Sequence, residues 1–379
     1  MAVKTAFEAN FAQRGELGGA CCVYHNGEKV VDLWGGVRNA ASGEPWQEDT
    51  MVIVFSLTKG MSAMTLALAH SRGWLDYDAR VADYWPEFAQ NGKGSITVRH
   101  LLAHQAGRHA FHEKLDRQVI ADPQRLRDIL AREPPQWPPG TRNAYHFLSL
   151  GFYEAELLRQ IDPRHRSLGQ FFHEEIAAPL GLEFYIGLPA TIANERLAVL
   201  AMPGLMASVI GYPFPMILAL LNPWSSTFRA CIVNPGAGVM MDDETIYARN
   251  LDVPSGGGVG TARAIAQAYG SFAIGGAALG LRAPTLAELR APARAPTYGF
   301  FDDVLRGNAK YALGFMKPFA GFSFGREDAF GTPGAGGSLG YADPGVGIGY
   351  GYVTNRIGCG IAPDPRDVAL RRALASVVH

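Results

Sequence analysis

The sequence predicts an α/β (α+β) protein with one antiparallel sheet built from both termini, flanked by helices, and a mostly helical domain inserted between them. Three observations predict it. The first fifty residues alternate as strands do, the middle consists of helical segments and Pro/Gly-rich loops, and the last eighty return to strand patterns before a final helix. We expect a discontinuous sheet domain of residues 1–75 and 297–379, a helical domain of residues 76–296, and an active site at their interface.

Turn signals and periodicity predict the individual elements. Apolar runs on both sides of Asn26-Gly27 indicate a hairpin, because this pair favours the tight turn that joins antiparallel strands. Apolar residues spaced three and four apart predict a helix from Ser56 to Ser71, and Gly73 is placed to end it. Further helices are predicted from about Thr261 and Pro365, and strands in KYALGFM, GGSLGYAD and GVGIGYGYVTN.

Composition excludes several classes of protein. The 379 residues include 34 Lys and Arg against 35 Asp and Glu, so no basic surface for nucleic acid or anionic membranes is expected. The N-terminus lacks the apolar core of a secretory signal, and we expect a cytoplasmic protein; self-association is left open. No Cys-x-x-Cys pair is present, which predicts reduced thiols at Cys21, Cys22, Cys231 and Cys359.

One long segment, residues 197–228, carries no charged residue. It is long enough to cross a bilayer, but proline and glycine divide it into pieces of about ten residues. We therefore expect buried helices or an apolar flap that lines a pocket, and no membrane span. The dividing residues are Pro203, Gly204, Gly211, Pro213 and Pro215.

The segment VFSLTKGMSAM raises a chemical question. Ser56 stands three residues before Lys59, which places both side chains on one face of the predicted helix. The ordinary alternative is that Ser56 caps the helix and Lys59 is solvated. Lys59, however, lies in an otherwise apolar helix, where burial would lower its pKa enough for the amine to take the serine proton.

Four motifs carry a resemblance to a known family. FSLTKG, SITVRHLLAHQAG (95–107), WPPGTRNAYHFLSLGF (137–152) and FGTPGAGGSLGYADP (330–344) resemble, in order, those of the serine β-lactamase-related hydrolases, and most closely the family VIII carboxylesterases. The resemblance extends from about Phe7 to Asn355. It implies the β-lactamase/DD-peptidase fold.

The resemblance also implies roles for individual residues. Ser56 would be the acylated nucleophile, Lys59 its base, and Tyr145 a proton shuttle whose phenolate the lysine cation would favour. The backbone N–H groups of Ser56 and Ala335 would form the oxyanion hole. Residues expected to line the substrate pocket are Phe147, Thr332, Pro333, Gly334 and Gly336.

Two positions depart from the family pattern. Thr332 replaces the usual basic or imidazole residue, which removes a cation that could bind a substrate carboxylate. Phe147 replaces the usual asparagine and cannot hydrogen-bond a β-lactam side-chain amide. Both departures count against a dedicated β-lactamase and are compatible with apolar ester substrates.

Other motifs offer rival sites. Gly336–Gly340 matches Gly-x-Ser-x-Gly, but His379 is the only histidine that follows Ser338, and no helix is predicted after the serine. His100 and His104 have the spacing of a zinc-binding helix without the accompanying glutamate. The glycine runs never complete a dinucleotide motif, and no metal or organic cofactor is expected.

The sequence thus predicts a serine carboxylesterase for short-chain or aryl esters. A β-lactamase, a D-amino-acid peptidase and an acyl transferase (transesterase) would share the nucleophile and stay open as alternatives. A non-enzymatic relative is disfavoured because Ser56, Lys59 and Tyr145 are all present.

Overall fold

A computed structural model describes residues 1–204, 212–233, 237–358 and 363–378. Short 3₁₀ helices lie at Pro86–Gly92, Asn194–Arg196, Ala237–Val239 and Ala277–Leu279, and π-helical turns at His173–Ala177 and Arg229–Val233. The α-helices are Ala2–Gln13 (α1), Leu57–Ser71 (α2), Val81–Tyr84 (α3), Val98–Leu102 (α4), Arg117–Ala121 (α5), Pro123–Arg132 (α6), Ser149–Ile161 (α7), Leu168–Phe172 (α8), Ala178–Leu180 (α9), Phe214–Leu221 (α10), Ser226–Phe228 (α11), Ala262–Ala273 (α12), Ala283–Arg290 (α13) and Pro365–Ala375 (α14).

The strands form one large antiparallel sheet and three small ones. The large sheet has the order β11-β12-β13-β14-β15-β1-β2-β3, and the small ones are β4-β8-β5, β10-β9 and β6-β7. The strands are Gly18–His25 (β1), Glu28–Asn39 (β2), Glu44–Pro45 (β3), Val52–Ile53 (β4), Phe184–Ile186 (β5), Met241–Asp242 (β6), Ile246–Tyr247 (β7), Gly258–Gly260 (β8), Phe301–Asp302 (β9), Gly307–Asn308 (β10), Tyr311–Ala312 (β11), Phe315–Met316 (β12), Phe330–Pro333 (β13), Leu339–Asp343 (β14) and Ile348–Thr354 (β15).

The large sheet joins the two ends of the chain, as the sequence predicts. Strand β1 pairs with β15 from Gly19 opposite Thr354 to His25 opposite Ile348. The predicted hairpin joins β1 to β2, and Asn26 and Gly27 have φ angles of 51° and 86°. Positive φ at both turn residues is the geometry that Asn-Gly adopts most readily.

The two faces of this sheet enter different cores. Tyr350 and Tyr352 of β15 pack with α1 and α14, through residues such as Phe7 and Leu370. The alternate residue Val353 belongs to the main core. The period-2 alternation of a strand explains this division, because successive side chains point to opposite faces.

Glycines bring α12 onto the main-core face of the sheet. The helix contacts β1, β14 and β15, although it lies within the predicted helical domain of residues 76–296. A methyl group on Gly349 would lie 2.1 Å from the Gly270 nitrogen and 2.3 Å from the Ala266 carbonyl oxygen. One of the helices that cover the sheet therefore comes from the middle of the chain. The division into a sheet domain and a helical domain remains a prediction.

Helix α2 lies at the centre of the molecule. All its residues except His70 are buried, and it contacts α7, α8 and β13. Ser56 precedes its first residue, and Gly73 follows it with a φ of 78°. The predicted helix is confirmed, and its burial on nearly every side explains its many small and apolar residues.

The uncharged segment is not uniformly buried. In α10, Met216 is buried while Phe214, Leu218 and Leu221 are exposed. The expectation of buried helices is therefore wrong for α10, which lies outside the core as an apolar surface element; Gly211 is outside the described residues. No helix in the described ranges is long and apolar enough to span a membrane.

The described cysteines are free thiols. Cys21 and Cys22 are buried in β1 and Cys231 is partly buried, while Cys359 lies outside the described residues. Burial raises the pKa of the Cys22 and Cys231 thiols to about 12, so both stay protonated near neutral pH.

The contact between α12 and β15 predicts that Gly349→Ala destabilises the fold. The added methyl would overlap backbone atoms, which cannot move as a flexible side chain can, and we expect a loss of about 2 kcal/mol or more. Gly94→Ala is the control, because its nearest neighbour is Ala89 Cβ at 3.9 Å. Equal free energies of unfolding in denaturant for both variants would contradict the proposed contact.

Candidate active site

Ser56 sits at a strained bend between β4 and α2. The preceding residue, Phe55, has a φ of 47°, which is unusual for a bulky side chain. The Val54 N–H donates to the carbonyl of Gly258 in β8, which anchors the bend. Ser56 occupies the N-cap position but its side chain makes no cap hydrogen bond. Its hydroxyl is therefore available for chemistry, and the simple capping alternative is wrong.

Lys59 lies beneath this hydroxyl in an almost fully buried position. Its Nζ atom is 3.2 Å from Ser56 Oγ, 2.6 Å from the Phe147 carbonyl oxygen and 2.9 Å from the Ser255 carbonyl oxygen. Burial lowers the pKa of Lys59 to about 7, while Glu154 acts in the opposite direction. A neutral amine fits this arrangement, because two N–H groups reach the two carbonyls and the lone pair is left for the serine proton.

Tyr145 approaches Ser56 from the cavity. The two hydroxyl groups are hydrogen-bonded, and Lys59 Nζ lies 4.8 Å from the centre of the tyrosine ring. Burial raises the pKa of Tyr145 above its usual value, with Asp302 adding to the rise. The expectation of a phenolate is therefore reversed: desolvation dominates, and the group is a neutral phenol that can donate a proton.

Asp302 holds this tyrosine in place and was missed by sequence reasoning. Its buried carboxylate accepts from the backbone N–H of Tyr145 at 3.2 Å and from the Tyr311 hydroxyl at 3.1 Å. It also accepts from the N–H groups of Val304 and Leu305, both at 2.8 Å. Asp302 lies in β9, far from Tyr145 in sequence, so no local motif could have revealed the contact.

His104 was singled out only as a metal candidate, but its ring supports the tyrosine. It lies 4.8 Å from the Tyr145 ring and 4.5 Å from the Tyr311 ring, and its Nδ1 accepts from the His146 backbone N–H at 3.1 Å. Burial lowers its pKa well below the usual value. Across the described ranges, no group of three or more His, Cys, Asp or Glu side chains is arranged to hold a metal.

The predicted oxyanion hole has suitable local geometry. A Cβ atom added to Gly334 would lie 2.1 Å from the Val54 carbonyl oxygen. The backbone directly before Ala335 is therefore packed against the bend that carries Ser56. In the described hydrogen bonds, neither the Ser56 nor the Ala335 backbone N–H donates. Both donors are free to bind an oxyanion, which remains a prediction.

A cavity of about 1250 Å³ opens over these groups. Ser56, Lys59 and Tyr145 line it together with all five predicted pocket residues, which are Phe147, Thr332, Pro333, Gly334 and Gly336. The uncharged segment also contributes, as the sequence analysis expected, through Ala201, Met202, Pro203, Gly204, Tyr212 and Pro213.

Ser338 lines the same cavity in a different setting. It is buried directly before β14, which begins at Leu339. The nucleophile elbow of α/β-hydrolases needs a helix at this point, and here a strand follows. His379, the histidine that would complete that triad, lies outside the described residues.

Comparison with known proteins identifies the family. The model of the family described as Beta-lactamase matches residues 3–372. The chain belongs to the beta-lactamase family. One curated relative, the Esterase/beta-lactamase LipL of Mycobacterium tuberculosis, is 34% identical over 357 residues, which cover 94% of this chain and 81% of LipL.

Three solved structures are similar to this chain over the whole fold. A family VIII carboxylesterase has a TM-score of 0.86 at 35% identity, and a penicillin-binding protein homologue from Caulobacter crescentus has 0.84 at 34%. EstA from Arthrobacter nitroguajacolicus has 0.83 at 30%. Each match covers 99% of this chain and 96% of the other. The protein is therefore a hydrolase of the beta-lactamase and esterase family, and the predicted family and fold are confirmed.

The depressed pKa of Lys59 predicts a pH-dependent stability. From about pH 8 to about 9.5, unfolding should bind a proton on this lysine, so the stability of the protein that retains Lys59 should rise by about 2 kcal/mol relative to Lys59→Met. Groups that do not interact with Lys59 titrate alike in both proteins and cancel; Glu154, whose pKa burial raises and Lys59 lowers, is replaced by glutamine in both proteins. The measurement is the free energy of unfolding at several pH values; parallel curves would show that Lys59 is an ordinary solvated lysine.

Proposed function

We propose that the protein is a serine carboxylesterase that forms an acyl-enzyme on Ser56 and prefers short-chain or aryl esters. One observation carries the proposal: a serine hydroxyl without a capping role lies 3.2 Å from a buried amine whose pKa is about 7. A base with this pKa is half deprotonated at neutral pH, which is where a general base works best. The names of two relatives, the Esterase/beta-lactamase LipL and a family VIII carboxylesterase, support the same class of reaction.

The first half-reaction follows from the positions of the donors. Ser56 Oγ attacks the ester carbonyl carbon while its proton moves to the Lys59 lone pair, and the carbonyl oxygen becomes an oxyanion bound by the Ser56 and Ala335 N–H groups. The bond to the alcohol oxygen then breaks. Tyr145 protonates the departing alkoxide, and the Lys59 ammonium restores the tyrosine proton.

The second half-reaction uses the same groups with water. Water gives a proton to the neutral amine and attacks the acyl carbon. Collapse of the second oxyanion then breaks the bond from the acyl carbon to Ser56 Oγ, which takes the proton back from the Lys59 ammonium, and the acid is released. Lys59 and Tyr145 thus have opposite roles in proton transfer. The amine is a base because burial lowers its pKa, and the phenol is an acid because burial raises its pKa.

The cavity wall favours apolar esters over β-lactams. Phe147 presents an aromatic ring packed edge-on against Tyr145 at 5.3 Å, and Thr332 offers a hydroxyl in place of a cation.

Nitrocefin and D-Ala peptides, compared with simple esters, test the β-lactamase and D-amino-acid peptidase alternatives. Product analysis with added alcohol tests an acyl transferase, and the absence of labelling by an active-site serine probe would favour a non-enzymatic relative.

Replacement of the nucleophile is the central test. Ser56→Ala should abolish both hydrolysis of p-nitrophenyl acetate and butyrate and the mass increase of the acylated protein, because no other group would attack the ester. Ser338→Ala removes a hydroxyl from the same cavity and should still acylate. Full activity in Ser56→Ala together with loss in Ser338→Ala would reverse the assignment.

The uncharged segment should influence chain-length preference. Met202 lines the cavity, so Met202→Asp should lower the ratio of butyrate to acetate hydrolysis by several-fold through the loss of apolar contact with the longer chain. Leu218→Asp is the matched control, because Leu218 lies in the same segment but outside the cavity lining. An unchanged ratio of kcat/KM values for the two esters in Met202→Asp would show that the segment does not contact the acyl chain of the substrate.

A further inference from the structure

A glycine-rich loop between β13 and β14 carries one of the two proposed oxyanion donors. The loop, residues 334–338, lines the cavity and is called the oxyanion loop below. The Gly334 N–H donates to the Ser338 carbonyl at 2.7 Å, which closes the loop. The Gly337 N–H donates to the Gly334 carbonyl at 3.3 Å. This second bond orients the peptide group that joins Gly334 to Ala335, and that peptide group carries the Ala335 N–H.

The Gly336 carbonyl oxygen is a point at which the rest of the protein holds this loop. It accepts a hydrogen bond from Arg366 Nη2 at 3.1 Å. Because a peptide group is planar, this bond also sets the direction of the Gly337 N–H, which belongs to the same peptide group. The Gly337 N–H in turn orients the Gly334 carbonyl and, on the opposite side of that peptide group, the Ala335 N–H. Two planar peptide groups thus connect Arg366 with the proposed oxyanion donor.

Glycines allow the loop to approach the start of α14 closely. Gly336 and Gly337 have φ angles of 89° and 114°, which side chains with a Cβ atom rarely adopt. A Cβ atom added to Gly337 would lie 2.7 Å from Oδ2 of Asp364, the residue that caps α14. The Gly358 N–H donates to the same Gly336 carbonyl as Arg366 does, at 3.0 Å. The oxyanion loop is therefore packed against the first turn of α14.

The guanidinium group of Arg366 is itself held on several sides. Arg366 lies in the first turn of α14 and is only 4% exposed. Its Nε and Nη2 atoms bind the two carboxylate oxygens of Asp364 at 2.9 and 2.7 Å. Nη1 binds Glu16 Oε1 at 2.9 Å and Thr354 Oγ1 at 3.1 Å. Together with the Gly336 carbonyl, these acceptors engage all five N–H donors, so none is left for a substrate carboxylate.

We propose that Arg366 is a positioning residue that orients the Ala335 N–H by holding the Gly336 carbonyl of the oxyanion loop. This inference rests on the proposed function, since the Ala335 N–H is a donor in that reaction. The ester oxygen gains its negative charge on the way to the tetrahedral intermediate, so a displaced N–H weakens the transition state more than the bound ester. Loss of Arg366 should therefore lower kcat more than it raises KM.

The experiment compares Arg366→Lys and Arg366→Ala with Arg371→Ala. Arg371 lies on the same helix, pairs with Asp367 at 2.7 Å and is outside the cavity lining, so its loss removes an ion pair of α14 without changing the contacts of the oxyanion loop. Lysine keeps a positive charge beside the two carboxylates, which favours folding, but its single nitrogen cannot reproduce the planar fork of arginine. With p-nitrophenyl acetate, we expect kcat to fall about tenfold or more in both Arg366 variants and to stay near the wild-type value in Arg371→Ala.

Replacement of the ester carbonyl oxygen by sulfur separates positioning from general damage. Backbone N–H groups placed for an oxyanion stabilise the larger sulfur anion less well, so the wild type should prefer p-nitrophenyl acetate to its thionoester. A displaced Ala335 N–H reduces this preference. The ratio of kcat/KM for the two esters should therefore fall several-fold in the Arg366 variants and hold in Arg371→Ala. A wild-type ratio in Arg366→Ala, or in Arg366→Lys where the alanine variant does not fold, would overturn the proposal.

A second measurement keeps the inference separate from the esterase assignment. Glycine is labelled with ¹³C at the carbonyl carbon and alanine with ¹⁵N, so that a combined NMR signal arises only from Gly–Ala peptide groups. The signal of the group between Gly334 and Ala335 is identified by its loss in Ala335→Gly. It should shift in both Arg366 variants, because the bond from Gly337 to the Gly334 carbonyl changes, and hold in Arg371→Ala. Inactive wild-type protein with a shifted signal in the variants would refute only the esterase; an unshifted signal would refute the role of Arg366.

Discussion

The burial of one amine is the constraint on which the rest of the site depends. Lys59 can exist in the centre of the molecule only because two backbone carbonyls and the Ser56 hydroxyl replace its water shell. Each carbonyl comes from a different segment, Phe147 before α7 and Ser255 before β8. Because it binds both carbonyls, the amine fixes the positions of α2, the start of α7 and the segment before β8 relative to one another. The active site therefore also holds three parts of the fold together.

The same low-dielectric environment separates the acid from the base. Desolvation penalises whichever form of a group is charged, so it pushes the lysine towards the amine and the tyrosine towards the phenol. Neither group needs a strong local partner to reach its working form. Asp302 contributes mainly through geometry, since it holds the Tyr145 backbone and the Tyr311 hydroxyl with the same carboxylate.

Local patterns in the sequence predicted the turns, helices and motif residues whose structure is determined by residues close together in the chain. The Asn26-Gly27 hairpin, the helix after Ser56 and the final helix from Pro365 are all present, and the motifs placed Ser56, Lys59 and Tyr145 around one cavity. Contacts between segments that are far apart in the sequence could not be predicted from it. The close packing of α12 on the sheet needs glycines on separate strands. The buried acids near the site, Asp302 and Glu154, are marked by no motif.

The pairing of β1 with β15 has a consequence for how this chain is made. As the ribosome delivers the N-terminal hairpin, the partner strand for β1 is still untranslated, and it emerges only after nearly all the other residues. Until then one edge of β1 has open N–H and C=O groups, the kind of edge that recruits foreign strands. Cotranslational folding cannot close the sheet until β15 has emerged, so this edge of β1 stays open during most of the synthesis of the chain.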